Sequence, residues 1–377
     1  MKHQEIPVVA EDGARLRLDT PTIETRLAHY PEPLREPVSW LASYTREECN
    51  RDLGILASQA AALGFEFDSN NWSKVLRGRW NRDANEQPLD SPIIKLEKLL
   101  RAIDALRRDS LLREQAGKVP FIWTPTAEEI FNYITTRRAH DRINKFGMIV
   151  GHTGTQKSAT CREYCRRNNH GNCVMVEAPS SPSITQLITD LSERYGCGRQ
   201  STWDRKRNTI NKSVNSRKSI IIENIQRLYN ERAEENQLVF SYLQKLQEDT
   251  GCTIILTLTP VFMTKLKRGL AQGYFEQFIG RVGGDKAVLT LEDYPSAEDI
   301  TAIAKAFGLT RLNERNVHLT ENEKEITMTT LDYLTRICRE PGRIRVLFEA
   351  LQSAKVRAAK RGKEFNIELI MSVRGDD

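Results

Sequence analysis

The chain reads as an α/β protein: a five-stranded parallel sheet flanked by helices, preceded by a helical domain and followed by an all-α subdomain. Three observations predict this. Apolar, β-like runs at 146–150, 172–178, 219–223, 253–259 and 287–292 alternate with helical segments, the pattern of a parallel sheet with its ligand at the carboxyl ends of the strands. The first run, Phe146-Gly147-Met148-Ile149-Val150, breaks at glycines and enters a helix through Lys157-Ser158. On either side of residues 119–294 the apolar positions recur instead at three- and four-residue steps.

Residues 1–38 are polar and broken by Pro7, Pro21, Pro31, Pro33 and Pro37, with no sustained period, and are expected to form an extended arm. Residues 39–118 turn helical. Thr45-Arg46-Glu47-Glu48 has capping-box spacing, Leu53, Leu56, Ala60 and Leu63 continue at helical steps, and Gly64 offers a stop. Asp68-Ser69-Asn70-Asn71 provides N-caps for a short helix over 72–80, and Ser91-Pro92 opens another through Leu96, Leu99, Leu100, Ile103 and Leu106.

A cationic helix after a tight turn, with no acidic residue between Trp72 and Trp80, suggests a helix-turn-helix-like domain. Lys74, Arg77 and Arg79 would then face phosphate or base edges of double-stranded DNA. The alternative is a small bundle that docks another protein through Trp72 and Trp80. A proline-bracketed connector, 118–126, marks the next boundary, and a helix is expected from Ala127 to about Asp141. Residues 119–294 hold the alternating core. From 295 to 377 the chain reads as helices, at 297–307, 325–339 and 343–361.

The segment Gly151-His152-Thr153-Gly154-Thr155-Gln156-Lys157-Ser158-Ala159 carries the chemistry. A strand that ends in glycines and turns into a helix aims backbone N–H groups at a polyphosphate. Lys157 adds an ammonium for the β and γ oxygens and Ser158 a hydroxyl for Mg²⁺, so ATP and Mg²⁺ are the expected ligands. The full pattern has glycine immediately before the lysine, where this chain has Gln156, and a side chain there is expected to restrict how the backbone wraps the phosphates. A second apolar run, Ser219 to Leu228, strengthens the reading, because a strand end beside such a loop carries a carboxylate of the Mg²⁺ shell, here Glu223.

Size and composition bound the rest. The 377 residues exceed one typical domain, and a hydrophobic content of 39% suffices for one sizeable core and a smaller one. Lys and Arg outnumber Asp and Glu by 56 to 50, a net charge of +6 that permits nucleic-acid binding without demanding it. No apolar run approaches the roughly 18 residues of a membrane span and the first six residues lack an apolar signal core, so a cytoplasmic protein with no membrane partner is expected. Seven cysteines, an odd number, argue for reduced thiols. Cys161, Cys165, His170 and Cys173 superficially resemble a zinc set, but Cys161 and Cys165 lie one helical turn apart and Cys173 starts the next strand, so buried thiols are expected.

Over residues 40–372 the motifs together resemble the AAA+ ATPases that select targets for DNA transposition, the group of the phage Mu B protein and the TnsC-type regulators. Gly147 to Ser158 looks like that group's "GxxxGHxGxGKT", and Ile222-Glu223-Asn224-Ile225-Gln226-Arg227-Leu228 like its "IDEAQRL". Trp123-Thr124-Pro125-Thr126 sits where its members carry an aromatic-rich linker near the adenine. Thr257-Leu258-Thr259-Pro260 occupies the place of the sensor-one strand end, and Gly342-Arg343-Ile344-Arg345 that of the sensor-two helix. The resemblance implies a P-loop AAA+ core with a C-terminal lid, which binds ATP, forms a homo-oligomeric ring or helical filament on double-stranded DNA, and recruits or activates a transposase.

Site residues follow from the same alignment. The Mg²⁺-coordinating Asp of the group falls on Glu223 and its catalytic Glu on Asn224. An amide cannot take a proton, so hydrolysis is expected to be slow or absent, with Glu223 acting as base from a shifted position as the alternative. Arg281 is the candidate for the arginine that reads a neighbour's γ-phosphate, an ordinary surface arginine being the other reading. Arg345 is the first candidate for the sensor-two contact and Arg343 the second. Arg205, Lys206, Arg207 and Lys212, then Arg217 and Lys218, either track a duplex backbone or form a solvated face. Lys355, Arg357, Lys360, Arg361 and Lys363 read as an exposed helix face.

Overall fold

The computed structural model describes residues 16, 18, 20–83, 87–115, 120–139, 145–229, 238–267, 272–321 and 324–375. The chain divides into two compact units. One comprises Met1–Val119, Tyr164–Ile220 and Leu238–Thr253, the other Pro120–Glu163, Ile221–Gln237 and Ile254–Asp377.

In chain order the elements begin with the helices α1 (Thr20–Leu27), α2 (Glu32–Glu47), α3 (Leu53–Ala62), α4 (Ser69–Leu76), α5 (Leu96–Gln115) and α6 (Pro125–Arg138). The alternating part follows as β1 (Phe146–Val150), α7 (Lys157–Arg167), β2 (Cys173–Glu177), α8 (Ile184–Arg194), α9 (Trp203–Ser213), β3 (Ser219–Glu223), α10 (Leu238–Thr250), β4 (Thr253–Leu258), α11 (Pro260–Leu266), α12 (Gln272–Val282) and β5 (Leu289–Thr290). The C-terminal part holds α13 (Ala297–Phe307), β6 (Val317–Glu321), β7 (Lys324–Met328), α14 (Thr330–Cys338), α15 (Ile344–Arg361) and α16 (Ile367–Arg374).

The five parallel strands run in the order β2-β3-β4-β1-β5. β1 pairs with β4 from Phe146↔Ile254 to Val150↔Leu258 and with β5 at Ile149↔Leu289. Every residue of β1, β3 and β4 is buried, as required of strands covered on both faces, which is why they read as unbroken apolar runs. The fifth run, expected over 287–292, keeps only two strand residues, because Asp285–Ala287 winds into a 3₁₀ turn.

The expected extended arm is a correction: residues 20–38 are largely helical. Pro31 is the N-cap of α2 and Pro33 sits in its first turn, where a missing N–H costs no intrahelical bond, so these prolines are entry signals. Ile23, Leu27, Tyr30, Leu34 and Val38 are buried in one core with Trp40, Tyr44, Leu56, Trp72 and Leu106. Residues 1–15 of the expected arm lie outside the described residues.

Asp52 caps α3 by accepting from Gly54 and Ile55, and Asp68 caps α4 by accepting from Asn71, so two short helices pack around a tight turn. α4 stops at Leu76, because Gly78 at φ +82 turns the chain; the expected run to Trp80 is four residues too long. Docking through Trp72 and Trp80 is excluded by burial. Trp72 is 0% and Trp80 6% exposed, and Trp80 Nε1 donates to the Ile94 carbonyl at 2.7 Å.

The C-terminal part is also not all α. β6 and β7 form an antiparallel pair from Val317↔Met328 to Glu321↔Lys324, so the helix expected from 325 begins only at Thr330, behind a Thr329–Asp332 capping box. Val317 and Leu319 enter the core while His318 points outward, the two-residue period of a strand. That core gathers Ile300, Ile303, Phe307, Leu334, Leu347 and Leu351. Among the described residues no helix is long and apolar enough to cross a membrane.

Candidate functional site

β1 delivers the chain into the glycine loop at Gly151, whose N–H still bonds the Leu258 carbonyl of β4 at 3.2 Å. Gly154 takes φ +84, and a Cβ there would fall 2.0 Å from the Gly342 carbonyl oxygen, so a side chain is excluded twice over. Lys157 opens α7 and turns its ammonium back into the loop. It donates to the carbonyls of Gly151 (2.5 Å) and His152 (2.7 Å) and to Thr155 Oγ1 (3.2 Å), which itself donates to His152. Burial pushes this ammonium down to about 8, with Cys161 and Glu223 pulling the other way and Arg343 adding to the drop.

Beside it, Ser158 donates its hydroxyl to the carboxylate of Glu223 at the end of β3. Glu223 is 7% exposed, with Arg162 Nη1 at 4.0 Å from its other oxygen. A hydroxyl and a carboxylate in contact are the hard oxygen donors that Mg²⁺ takes, so these residues fit that ion. The next residue, Asn224, sits in the left-handed region at φ 58 and donates its N–H to Thr257 Oγ1 at 3.1 Å, while its side-chain oxygen accepts from Gln226 Nε2 at 3.4 Å. Thus Glu223, Asn224 and Thr257 are brought together around the strand ends.

Gln156 also has a positive φ, of 64°. For a side chain with a Cβ this conformation costs about 1–2 kcal/mol. Two hydrogen bonds offset it at about 1 kcal/mol each. Gln156 Oε1 accepts from Thr124 Oγ1 at 2.8 Å and Nε2 donates to the Ile122 carbonyl at 2.9 Å. The loop therefore forms with its glycine-like backbone intact, and the side chain expected to obstruct it leads away to the connector before α6. Sequence reasoning missed this role; the signal available was an amide able to donate and accept at once.

The lid approaches the loop through Arg343. Its Nη1 donates to the Thr153 carbonyl at 3.1 Å, its Nε to the Asp293 carbonyl, and its guanidinium lies 5.1 Å from the Tyr294 ring centroid. Asp293 Oδ1 lies 3.0 Å from His152 Nε2 in the same loop. Arg345, the first candidate, is exposed one residue into α15. Arg281 lies half-buried in the last turn of α12.

The cations proposed for DNA divide sharply. Lys74 is half-buried on α4, Arg77 is its C-cap with Nε donating to Ser73 Oγ at 3.3 Å, and Arg79 follows the turn. On α9, Arg205 and Lys212 are exposed and Arg207 is half-buried, its guanidinium 6.0 Å from the Tyr242 ring centroid. Lys206 is a correction: it is 8% exposed and donates to Thr189 Oγ1 at 3.0 Å, because 206, 210 and 213 share the buried face of that helix. Lys218 is likewise buried against Glu24 at 2.7 Å, and Arg217 pairs with Glu32. Cys161 and Cys173 are buried thiols outside any disulfide, and Cys165 is half-buried with its Sγ 3.1 Å from that of Cys173.

A glycine loop between β1 and α7, a carboxylate at the end of β3 and the order β2-β3-β4-β1-β5 define a P-loop α/β protein of the AAA+ fold. Residues 141–266 match the family model described as an AAA domain. No curated protein matches the chain. Similar solved structures include Drosophila ORC bound to DNA, at 15% identity over 71% of this chain and 64% of that one, with a TM-score of 0.44. The chain thus spans less than two thirds of that protein's length. Others are domain III of the Thermotoga maritima replication initiation protein DnaA (16%, 68% and 94%, TM-score 0.42) and the Aeropyrum pernix Orc1 protein in complex with DNA (14%, 71% and 69%, TM-score 0.43). These likenesses are of fold.

Proposed function

We propose that this protein binds ATP with Mg²⁺, assembles in that state as a ring or helical filament on double-stranded DNA, and there recruits or activates a transposase. The observation that carries the proposal is the Ser158 hydroxyl against the Glu223 carboxylate, one residue from the ammonium of Lys157. When bound, the nucleotide supplies a γ-phosphate that a neighbouring copy can read through Arg281. Lys157 exchanges its loop carbonyls for phosphate oxygens, Ser158 and Glu223 hold the metal, and Thr257 keeps the Asn224 backbone in place. Asn224 orients a water by hydrogen bonds without accepting its proton, so hydrolysis is slow and the assembled state long-lived.

The DNA side of the reading rests on likeness to the transposition ATPases together with two sets of cations: the half-buried Lys74, Arg77 and Arg79 around α4, and the exposed Arg205 and Lys212 on α9. A scaffold that docks protein through its tryptophans has lost its anchors, since both are buried. The test is electron microscopy of the full chain with duplex DNA and a non-hydrolysable ATP analogue. Ordered assemblies are expected with the native chain and none with Lys157→Ala; equal assembly by that variant, or none by the native chain under any nucleotide condition, overturns the proposal.

A further inference from the structure

The residue that departs from the glycine pattern is connected to the lid by hydrogen bonds. Gln156 grips Thr124 and Ile122. The same Thr124 hydroxyl accepts from the Ala127 N–H at 3.1 Å and so caps α6. Within the first turn of α6, Thr126 gives its N–H (2.9 Å) and its hydroxyl (2.7 Å) to the two oxygens of Asp299. Asp299 is 0% exposed and completes the capping box of α13, accepting from the Ser296 N–H at 3.1 Å. From loop to lid helix the path is thus made of hydrogen bonds and one turn of backbone. A glycine at 156 would serve the loop's φ and leave the path without its first member.

We propose that Gln156 is a positioning residue that couples occupancy of the phosphate loop to α13, through Ile122 and Thr124, the N-terminus of α6, and Asp299. When phosphate oxygens draw on the N–H groups of the loop, the Gln156 peptide is fixed, its side chain holds the connector in one position, and Thr126 presents both donors to the buried carboxylate. Gln156 touches no reacting atom in this scheme. The coupling rests on the reading that the loop holds a nucleotide, so binding and coupling are measured separately.

The experiment uses the full chain, with calorimetry of a non-hydrolysable ATP analogue with Mg²⁺ and amide hydrogen exchange over 124–130 and 296–301. In the native chain the analogue is expected to slow exchange in both segments by about threefold or more. Gln156→Gly, its affinity measured by calorimetry and the analogue then held at saturation, is expected to lose the slowing over 296–301. Thr126→Val, which leaves the loop untouched, is expected to lose it as well, and Thr126→Ser to retain it. Slowing in Gln156→Gly equal to the native chain overturns the coupling while leaving nucleotide binding intact. Calorimetry showing no uptake by the native chain overturns both.

Discussion

Ser158 and Glu223, 65 positions apart in sequence, are joined by a hydrogen bond that the ends of β1 and β3 impose. The fold itself assembles this pair of oxygens at a mouth lined by Lys157 and Asn224. Removing one oxygen should therefore weaken the metal and leave the sheet alone. Ser158→Ala is expected to raise the Mg²⁺ concentration needed for nucleotide binding by about tenfold, read by calorimetry across a magnesium series. An unchanged magnesium dependence would refute the assignment of these two residues.

Asn224 is where the chemistry is expected to stall. Its backbone is fixed by Thr257, so a carboxylate placed there starts from the same anchor. Asn224→Glu is expected to raise steady-state phosphate release by roughly 10²-fold, the size of a typical general-base contribution. A native chain that already hydrolyses as fast as the variant would show that Glu223, or another group, serves as the base.

Gly154 meets the lid backbone with no room to spare. Gly154→Ala adds a methyl 2.0 Å from the Gly342 oxygen at φ +84, where a Cβ is itself disfavoured. The expected loss is about 2 kcal/mol or more, visible as a lowered melting temperature of the nucleotide-free protein. Gly308, also at positive φ but with open space around its missing Cβ, supplies the control: Gly308→Ala should cost less.

His170 sets a pH signature. Burial works against its charge, but the carboxylates of Glu47, hydrogen-bonded to Nδ1 at 3.1 Å, and of Glu48, 3.2 Å from Nε2, outweigh it, and its pKa is raised above 6.5. Burial likewise opposes the two carboxylates, yet His170, aided by Arg46 at Glu47 and by Ser110 and Arg113 at Glu48, holds both below 4.5. The histidine's contribution is complete below pH 6.5 and is lost as pH rises through its folded value; the glutamates' contribution is present above 4.5 and is lost as pH falls through theirs. Urea denaturation should show stability declining as pH is raised above 6.5, with the slope flattened in His170→Gln. A native slope identical to that of the variant would contradict the triad.

The sheet was legible because parallel strands buried on both faces leave unbroken apolar runs, and the loop because glycine, lysine and serine have few substitutes there. Other features were hidden for physical reasons. Pro31 and Pro33 break a chain or begin a helix with equal ease, and only the burial of Leu34 and Val38 decides between them. β6 and β7 alternate over a span too short to outvote helix-compatible Glu and Lys. Lys206 shared a cationic run with Arg205, and its place on the inner face follows only from its spacing to Ile210. Gln156 departs from the motif in composition, yet its partners lie more than 30 residues upstream, beyond any local pattern.

Four acidic side chains and an indole fasten α1 and α2 to the strand entrances: Glu24 to Lys218, Glu32 to Arg217, Glu36 to Asn172, Glu47 to His170, and Trp40 to Asn169. The amino-terminal helices are thus keystones of the β2 and β3 margin. Amputating them would strand Lys218 and uncover an apolar wall, so the remaining polypeptide should precipitate.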